Sequence, residues 1–350
     1  MNRVALTLIR RIVPELVDVL WSRARILQRL RLLQPIGRRA LAQELGVTER
    51  VLRGEVDILR RQGLIVSGPS GMSLSDEGLA LLEQLEQVLA AIEGRAELGR
   101  RLSAALGIPS VVVVAGDSDE EAWVKDMLGY HAAVCLREHL LPGDVVAVSG
   151  GSTMAALAKR MPERAGPPGV KVVPARGGLG EAIALEANTI AAELAARLGG
   201  TSVMLHVPDY VREETLQHLL EEPDIEQRIA EVRAATVVVH GIGGALQMAA
   251  RRGLPAAEQA KLVERGAVAE AFGYYFDRNG RTVLAMSVIG LRLADLRRAR
   301  LVMAVAGGRS KAGAIAAAAK AYRIDVLVTD EGAGHQILSM QTEGDVWQSK

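Results

Sequence analysis

The sequence predicts an α+β chain in two parts, a small basic helical domain with a β-hairpin and then a larger doubly wound α/β domain. Three observations predict this. The 350 residues suffice for two domains or more, and 49% hydrophobic with 24% charged residues is ordinary for a globular protein. Charge is uneven: residues 1–66 hold 13 Arg and no Lys against 6 acidic residues, a net of +7 on a chain whose total is +1. From about residue 107, β-branched runs alternate with helical patterns, and glycine-rich turns stand between them. The boundaries read as 1–75 for the basic domain, 76–106 for a linker helix and 107–345 for the α/β domain.

In the front end, Ser22 to Gln34 predicts a helix with Ile26, Leu30 and Leu33 on one face and Arg23, Arg25, Arg29 and Arg31 largely off it. Pro35-Ile36-Gly37 stops it. Arg38 to Leu45 predicts a second helix, with Ala40, Leu41 and Leu45 inward and Gly46 as a left-handed C-cap. Thr48 then caps a third helix running to about Gln62, with Val51, Val56 and Leu59 as its core stripe. A helix, a short glycine-containing turn and a helix set a second helix into the major groove of DNA. Leu64-Ile65-Val66 and Met72-Ser73-Leu74, joined through Ser67 to Gly71, predict the wing of a winged helix-turn-helix. Arg38, Thr48, Glu49, Arg50 and Arg53 are the candidate contacts to double-stranded DNA. Asp76 to about Leu106 predicts a further helix whose Leu82, Leu85, Leu89, Ile92 and Ala96 form a seam, suited either to core packing or to dimerisation.

In the body, strands are predicted at Val111–Val114, Val145–Val148, Val170–Val173, Val203–Val207, Val237–Val239, Val283–Met286, Leu301–Val305 and Val326–Val328. Most are continuously apolar, as strands buried on both faces are. Helices alternate with them at Ser152–Arg160, Glu186–Leu198, Glu213–Glu221, Ala245–Arg252, Lys311–Tyr322 and Glu331–Met340. This is the pattern of a Rossmann-like, mostly parallel sheet with ligands at the carboxyl ends of its strands.

Four glycine turns fall at those ends: Ser149 to Thr153, Arg176 to Gly178, His240 to Gly244 and Gly307 to Lys311. A helix N-terminus with glycine close by is suited to an anion. Gly150, Gly151, Gly177, Gly307 and Gly308 are therefore candidate contacts. Ser152 and Thr153 suit both phosphate binding and helix capping. Lys311 opposes a helix dipole unless an anion is bound. Arg176 and Arg251 suit forked phosphate contacts or plain ion pairs, and Glu270 suits sugar hydroxyls or a helix surface. Asp330-Glu331 suits acid–base chemistry or a helix cap.

No dinucleotide fingerprint or Walker loop is present, so no nucleotide cofactor is expected. His206, His240 and His335 lack metal-ligand spacing, so no metal is expected either. Cys135 is the only cysteine, which excludes an internal disulfide and fits a reducing cytoplasm. Neither a membrane span nor a signal peptide is read. The uncharged stretch Val145 to Ala158 falls short of the roughly 18 residues needed, and Arg3, Arg10 and Arg11 precede no long apolar run.

Val173-Pro174-Ala175-Arg176-Gly177-Gly178-Leu179-Gly180-Glu181, followed by Ala187-Asn188-Thr189, resembles the SorC family of sugar-binding transcriptional regulators. Val239 to Gly243, Ala271 to Phe276, Ala304 to Gly308, Val328 to Ala333 and the Arg50 to Glu55 segment extend the resemblance over nearly the whole chain. It implies a repressor of a glycolytic operon, relieved by fructose 1,6-bisphosphate in an effector domain related to phosphosugar isomerases and deaminases. Effector contacts implied by the resemblance are Ser152, Thr153, Arg176, Gly178, Leu179, Arg251, Glu270 and Lys311, in a homodimer or homotetramer. Arg309 stands where the family leads one to expect a small residue, which suggests an added charge beside the site. Another phosphorylated sugar is the alternative effector. An isomerase or deaminase is the enzyme alternative, but no acid–base constellation in the sequence demands turnover.

Overall fold

The computed structural model describes residues 11–180, 182–209, 211 and 213–348; Arg3, Arg10 and Glu181 lie outside them. Two compact units divide near Glu97.

The first unit holds α1 (Pro14–Leu33), α2 (Arg38–Leu45), α3 (Glu49–Arg61), the hairpin β1 (Ile65–Gly68) and β2 (Gly71–Leu74), and α4 (Asp76–Ile92). Ile26, Leu30, Leu41, Leu52, Val56, Leu59, Ile65, Met72 and Leu82 form its core. The α1 helix begins eight residues before its predicted start, at a proline suited to the first helical position. Two stripe assignments shift by a residue or two. Leu52, not the 59% exposed Val51, lies inward on α3, and Ala42, not the exposed Ala40, on α2. Period 3.6 explains the first, since Leu52, Val56 and Leu59 follow i, i+4, i+7. Arg29 and Arg31 are buried rather than off the apolar face. Arg31 forks onto Glu86 at 2.9 and 2.6 Å, which neutralises it there. The single helix predicted over 76–106 is two, because Gly94 adopts φ +79 and ends α4 before α5 (Arg95–Leu106) begins.

The second unit runs on through β3 (Ser110–Val114), α6 (Trp123–His139), β4 (Val145–Val148), α7 (Ser152–Arg160), β5 (Lys171–Pro174), α8 (Ala187–Leu198) and β6 (Thr201–Ser202). Then come α9 (Glu213–Glu221), α10 (Pro223–Arg233), β7 (Val237–Gly241), β8 (Gly243–Gly244), α11 (Ala245–Arg251) and α12 (Ala256–Glu264). The chain ends with β9 (Ala267–Ala271), β10 (Tyr274–Asp277), β11 (Thr282–Ala285), β12 (Leu301–Val305), α13 (Ala312–Ala321), β13 (Val326–Asp330) and α14 (Glu331–Gln348). Seven parallel strands lie in the order β3-β13-β12-β7-β4-β5-β6. The apolar strands β7, β12 and β13 are buried almost throughout, as a sheet covered on both faces requires.

Neighbours β4 and β7 send their chains in opposite directions, to β5 and towards β12. That divergence opens a crevice beyond their carboxyl ends.

Two strand predictions need correction. Val203–Val207 is not a strand: β6 ends at Ser202, and of this segment only Val203 still bonds the neighbouring β5, its N–H donating to the Val172 carbonyl. Leu205 is instead paired on both its N–H and C=O by the Asn188 side-chain amide, at 2.9 and 3.0 Å. The predicted strand at Val283–Met286 belongs to a separate antiparallel sheet, β11-β10-β9-β8. The fully buried Tyr275 and Phe276 anchor that sheet.

Candidate functional site

The crevice holds a cavity of about 240 Å³. Gly150, Gly151, Ser152, Thr153, Arg176, Gly177, Leu179, Arg251, Glu270, Gly307 and Lys311 line it, drawn from four strand ends and α11. Gly178 and Gly308 do not. Gly178 instead exchanges backbone bonds with Val207 and Asp209, and the Gly308 N–H donates to Asp330 at 2.8 Å.

The four glycine turns prove unequal. The first opens α7 and the third opens the shorter α11, and in neither do the leading amides have a side-chain cap. Gly151 is the N-cap and Ser152 and Thr153 are the first helical residues, so their hydroxyls do not cap α7 as predicted. At the second turn no helix follows directly. Gly177 and Gly178 donate to Ile289 and Val207 carbonyls, and Leu179 donates to Glu186 at 3.1 Å. A Cβ on Gly177 would stand 2.5 Å from the Val207 and Pro208 carbonyls, so only glycine allows this approach. The third turn spends Gly243 and Gly244 on pairing with β9. In the fourth, aspartates take the amides: Asp330 from Gly308, Asp117 from Arg309 at 3.3 Å and Asp119 from Ser310 at 2.7 Å. This turn therefore offers an anion the Lys311 side chain, not a ring of N–H groups.

Arg309 is turned from the cavity, 60% exposed and 3.8 Å from Asp117, so it adds no charge to the site. Asp330 is fully buried outside the cavity, accepting from Ser118, Gly308 and Ala333 amides. It caps the following helix and anchors two loops.

The cavity floor is a buried square of four charges. Arg176 bonds Asp209 at 2.7 Å and Glu270 at 3.2 Å, and Arg252 reaches Glu270 at 2.8 Å and Asp209 at 3.3 Å. Glu270 lies on β9 rather than a helix surface, and it also accepts the Gly273 N–H at 2.7 Å. Burial opposes its charge, but Arg252, Arg176 and that N–H outweigh it and hold the carboxyl below its ordinary range. At the rim, burial and then Lys125 push the Lys311 ammonium below its ordinary range. His240, also lining the cavity, is fully buried and lowered to about 4 by burial; its Nδ1 is 2.9 Å from the Gly241 carbonyl. Sequence reasoning missed Lys125, Asp209 and Arg252. Arg252 adjoins Arg251, which is a faint signal, whereas Asp209 and Lys125 carry none. Among the described residues no cluster suited to a metal ion occurs.

In the first unit, Glu49, Arg50 and Arg53 stand exposed on the leading turns of α3, and Arg38 starts α2. The Thr48 hydroxyl is turned to its own helix, accepting from Val51 at 3.4 Å. The 2.7 Å ion pair of Arg23 with Glu55 ties α1 to α3.

Two family profiles match the chain: "CggR N-terminal DNA binding domain" over residues 19–89 and "Putative sugar-binding domain" over residues 90–339. The central glycolytic genes regulator of Priestia megaterium is 45% identical over 330 residues, covering 94% of this chain and 96% of that protein. Its counterpart in Bacillus subtilis is 40% identical, covering 94% and 97%. Among solved structures, "the putative SorC family transcriptional regulator from Enterococcus faecalis" is 40% identical with a TM-score of 0.65, covering 69% of this chain and 99% of that one. The full-length sorbitol operon regulator SorC of Klebsiella pneumoniae, at 21% identity and TM-score 0.63, shares the fold over 92% of this chain and 99% of its own. No helix among the described residues is long and apolar enough to cross a membrane.

Proposed function

The chain belongs to the family of central glycolytic genes regulators, SorC-type sugar-binding transcriptional regulators, and from that premise we propose that it represses a glycolytic operon until fructose 1,6-bisphosphate fills the cavity of its second unit. A DNA-binding domain joined to a sugar-binding domain makes a sugar-responsive transcriptional regulator. The observation that supports a phosphorylated effector is the pairing of the uncapped start of α7 with Lys311 and Arg251 at one cavity rim. Glu270 on the floor, ionised and acceptor-only, suits sugar hydroxyls. The effector contacts we assign are Gly150, Gly151, Ser152, Thr153, Arg176, Gly177, Leu179, Arg251, Glu270, Gly307 and Lys311.

We read the cavity as a sensor without turnover or cofactor, since Asp330 is committed to backbone amides outside it. The acting species is a homodimer or homotetramer, because paired reading helices match paired operator half-sites.

Calorimetric titration with fructose 1,6-bisphosphate, fructose 6-phosphate and dihydroxyacetone phosphate, followed by operator binding with each, tests this. The bisphosphate is expected to bind tightest and to weaken operator binding by about 5- to 150-fold. Operator affinity unmoved across the panel would sink the proposal.

For the first unit, Arg53→Ala is expected to weaken operator binding and to lower the log–log salt slope by about 1 per protomer. An unchanged slope would remove Arg53 from the interface.

A further inference from the structure

We propose that Lys125 is a phosphate ligand of this cavity, forming with Lys311 and the amino end of α7 one cationic seat for a phosphoryl group of the effector. The inference rests on the sensor reading above and names a residue that neither the sequence nor the family resemblance brought forward.

Helix packing places Lys125 there. The α6 and α7 helices meet at Gly129, where a Cβ would stand 2.6 Å from the Ala156 carbonyl carbon and 2.7 Å from its Cβ. Only glycine permits that separation. Lys125 lies four residues before Gly129 and Ser152 four before Ala156, one helical turn towards each amino end. Both consequently reach the same end of the cavity and line it.

Electrostatics make the arrangement unfavourable when no anion is present. Lys125 is the third residue of α6, at the positive end of its helix dipole, and Ser152 opens another such end beside it. Lys125 and Lys311 line one cavity, and among the described residues neither has a carboxylate within ion-pair distance. Asp119 and Asp330 are the acidic groups that favour the Lys311 charge, while Lys125 and Arg251 oppose it. Asp119 is already held by the Ser310 N–H and hydroxyl, and Asp330 by three amides. A phosphate dianion is acceptor-only and doubly charged, so it relieves the repulsion between the two ammonium groups and meets the two helix ends at once.

The test is calorimetric titration of full-length wild type, Lys125→Met and Lys125→Arg with fructose 1,6-bisphosphate, with thermal unfolding of each protein in the absence of ligand. Lys125→Met is expected to bind about 10- to 100-fold more weakly, with an unfolding midpoint equal to or above that of wild type. Lys125→Arg is expected to stay within a few-fold of wild type. In Lys125→Met the Lys311 ammonium loses a repulsive neighbour, so the pH at which effector affinity falls on the alkaline side moves upward. Wild type that binds while Lys125→Met binds equally well overturns the role of Lys125 and leaves the sensor reading standing. Wild type that binds no phosphorylated sugar of the panel overturns the sensor reading and Lys125 together.

Discussion

Arg252→Met is expected to destabilise the effector domain by about 3–5 kcal/mol, the range found when one partner of a buried ion pair is removed. The four side chains are nearly inaccessible, from 3% exposed for Arg252 to 9% for Arg176. Two positive and two negative charges balance there; without Arg252 a net negative charge stays in low dielectric. Urea unfolding of the effector domain measures the loss. Pairing the change with Glu270→Gln restores neutrality, so the double variant should recover a large part of it. Equal stability of single and double variants would mean that charge balance is not what holds the square together. Effector affinity should fall in the single variant as well, because Arg252 orients the Glu270 carboxylate that faces the cavity.

Replacing His240 with Phe should remove about 3 kcal/mol of pH dependence between roughly pH 6.5 and pH 4. Burial lowers the folded His240 from 6.5 to about 4. The unfolded chain therefore takes up a proton in that window while the folded chain does not. Stability associated with neutral His240 is complete above about pH 6.5 and is lost as pH falls towards 4. The groups around the ring do not reverse this sign. Phe272 and Tyr322 pack at 4.7 and 5.6 Å between ring centroids, the Gly241 carbonyl accepts from Nδ1, and Glu270 favours the charged form without overcoming burial. Glu270 titrates lower: its contribution is complete above its ordinary value near 4.5 and is lost only as pH falls through its depressed folded value. Phenylalanine keeps the ring contacts and cannot take up a proton. Unfolding measured across the window should therefore give a flatter profile for His240→Phe than for wild type, and parallel profiles would contradict the assignment.

Local signals made much of the fold legible. Six strands of the parallel sheet and five of the six helices predicted beside it stand within a few residues of their predicted places, because continuous apolar runs and 3.6-residue stripes are set by nearest neighbours along the chain. The sixth helix, α14, runs on past Met340 to Gln348. The wing hairpin pairs Ile65 with Leu74 as the flanking apolar triplets predict. The failures were tertiary. Val203–Val207 has strand composition, yet Asn188 takes over its pairing. Strand β9 sets Glu270 among small residues and β10 is Tyr274-Tyr275-Phe276-Asp277, and the two are joined by a tight turn at Phe272-Gly273, both at positive φ.

By itself, the sequence determined that a basic helix-turn-helix precedes an α/β domain whose glycine turns gather at strand ends, since charge, periodicity and turn residues act locally. Only the tertiary structure decided which turn can receive an anion. A helix amino end binds an anion only if nothing in the protein already satisfies its amides. Asp117, Asp119 and Asp330 satisfy those of the fourth turn from 22 to 192 positions away in the chain, while the first is left without a side-chain cap. Contacts across such separations depend on how the sheet brings β3, β12 and β13 together, which no local pattern records.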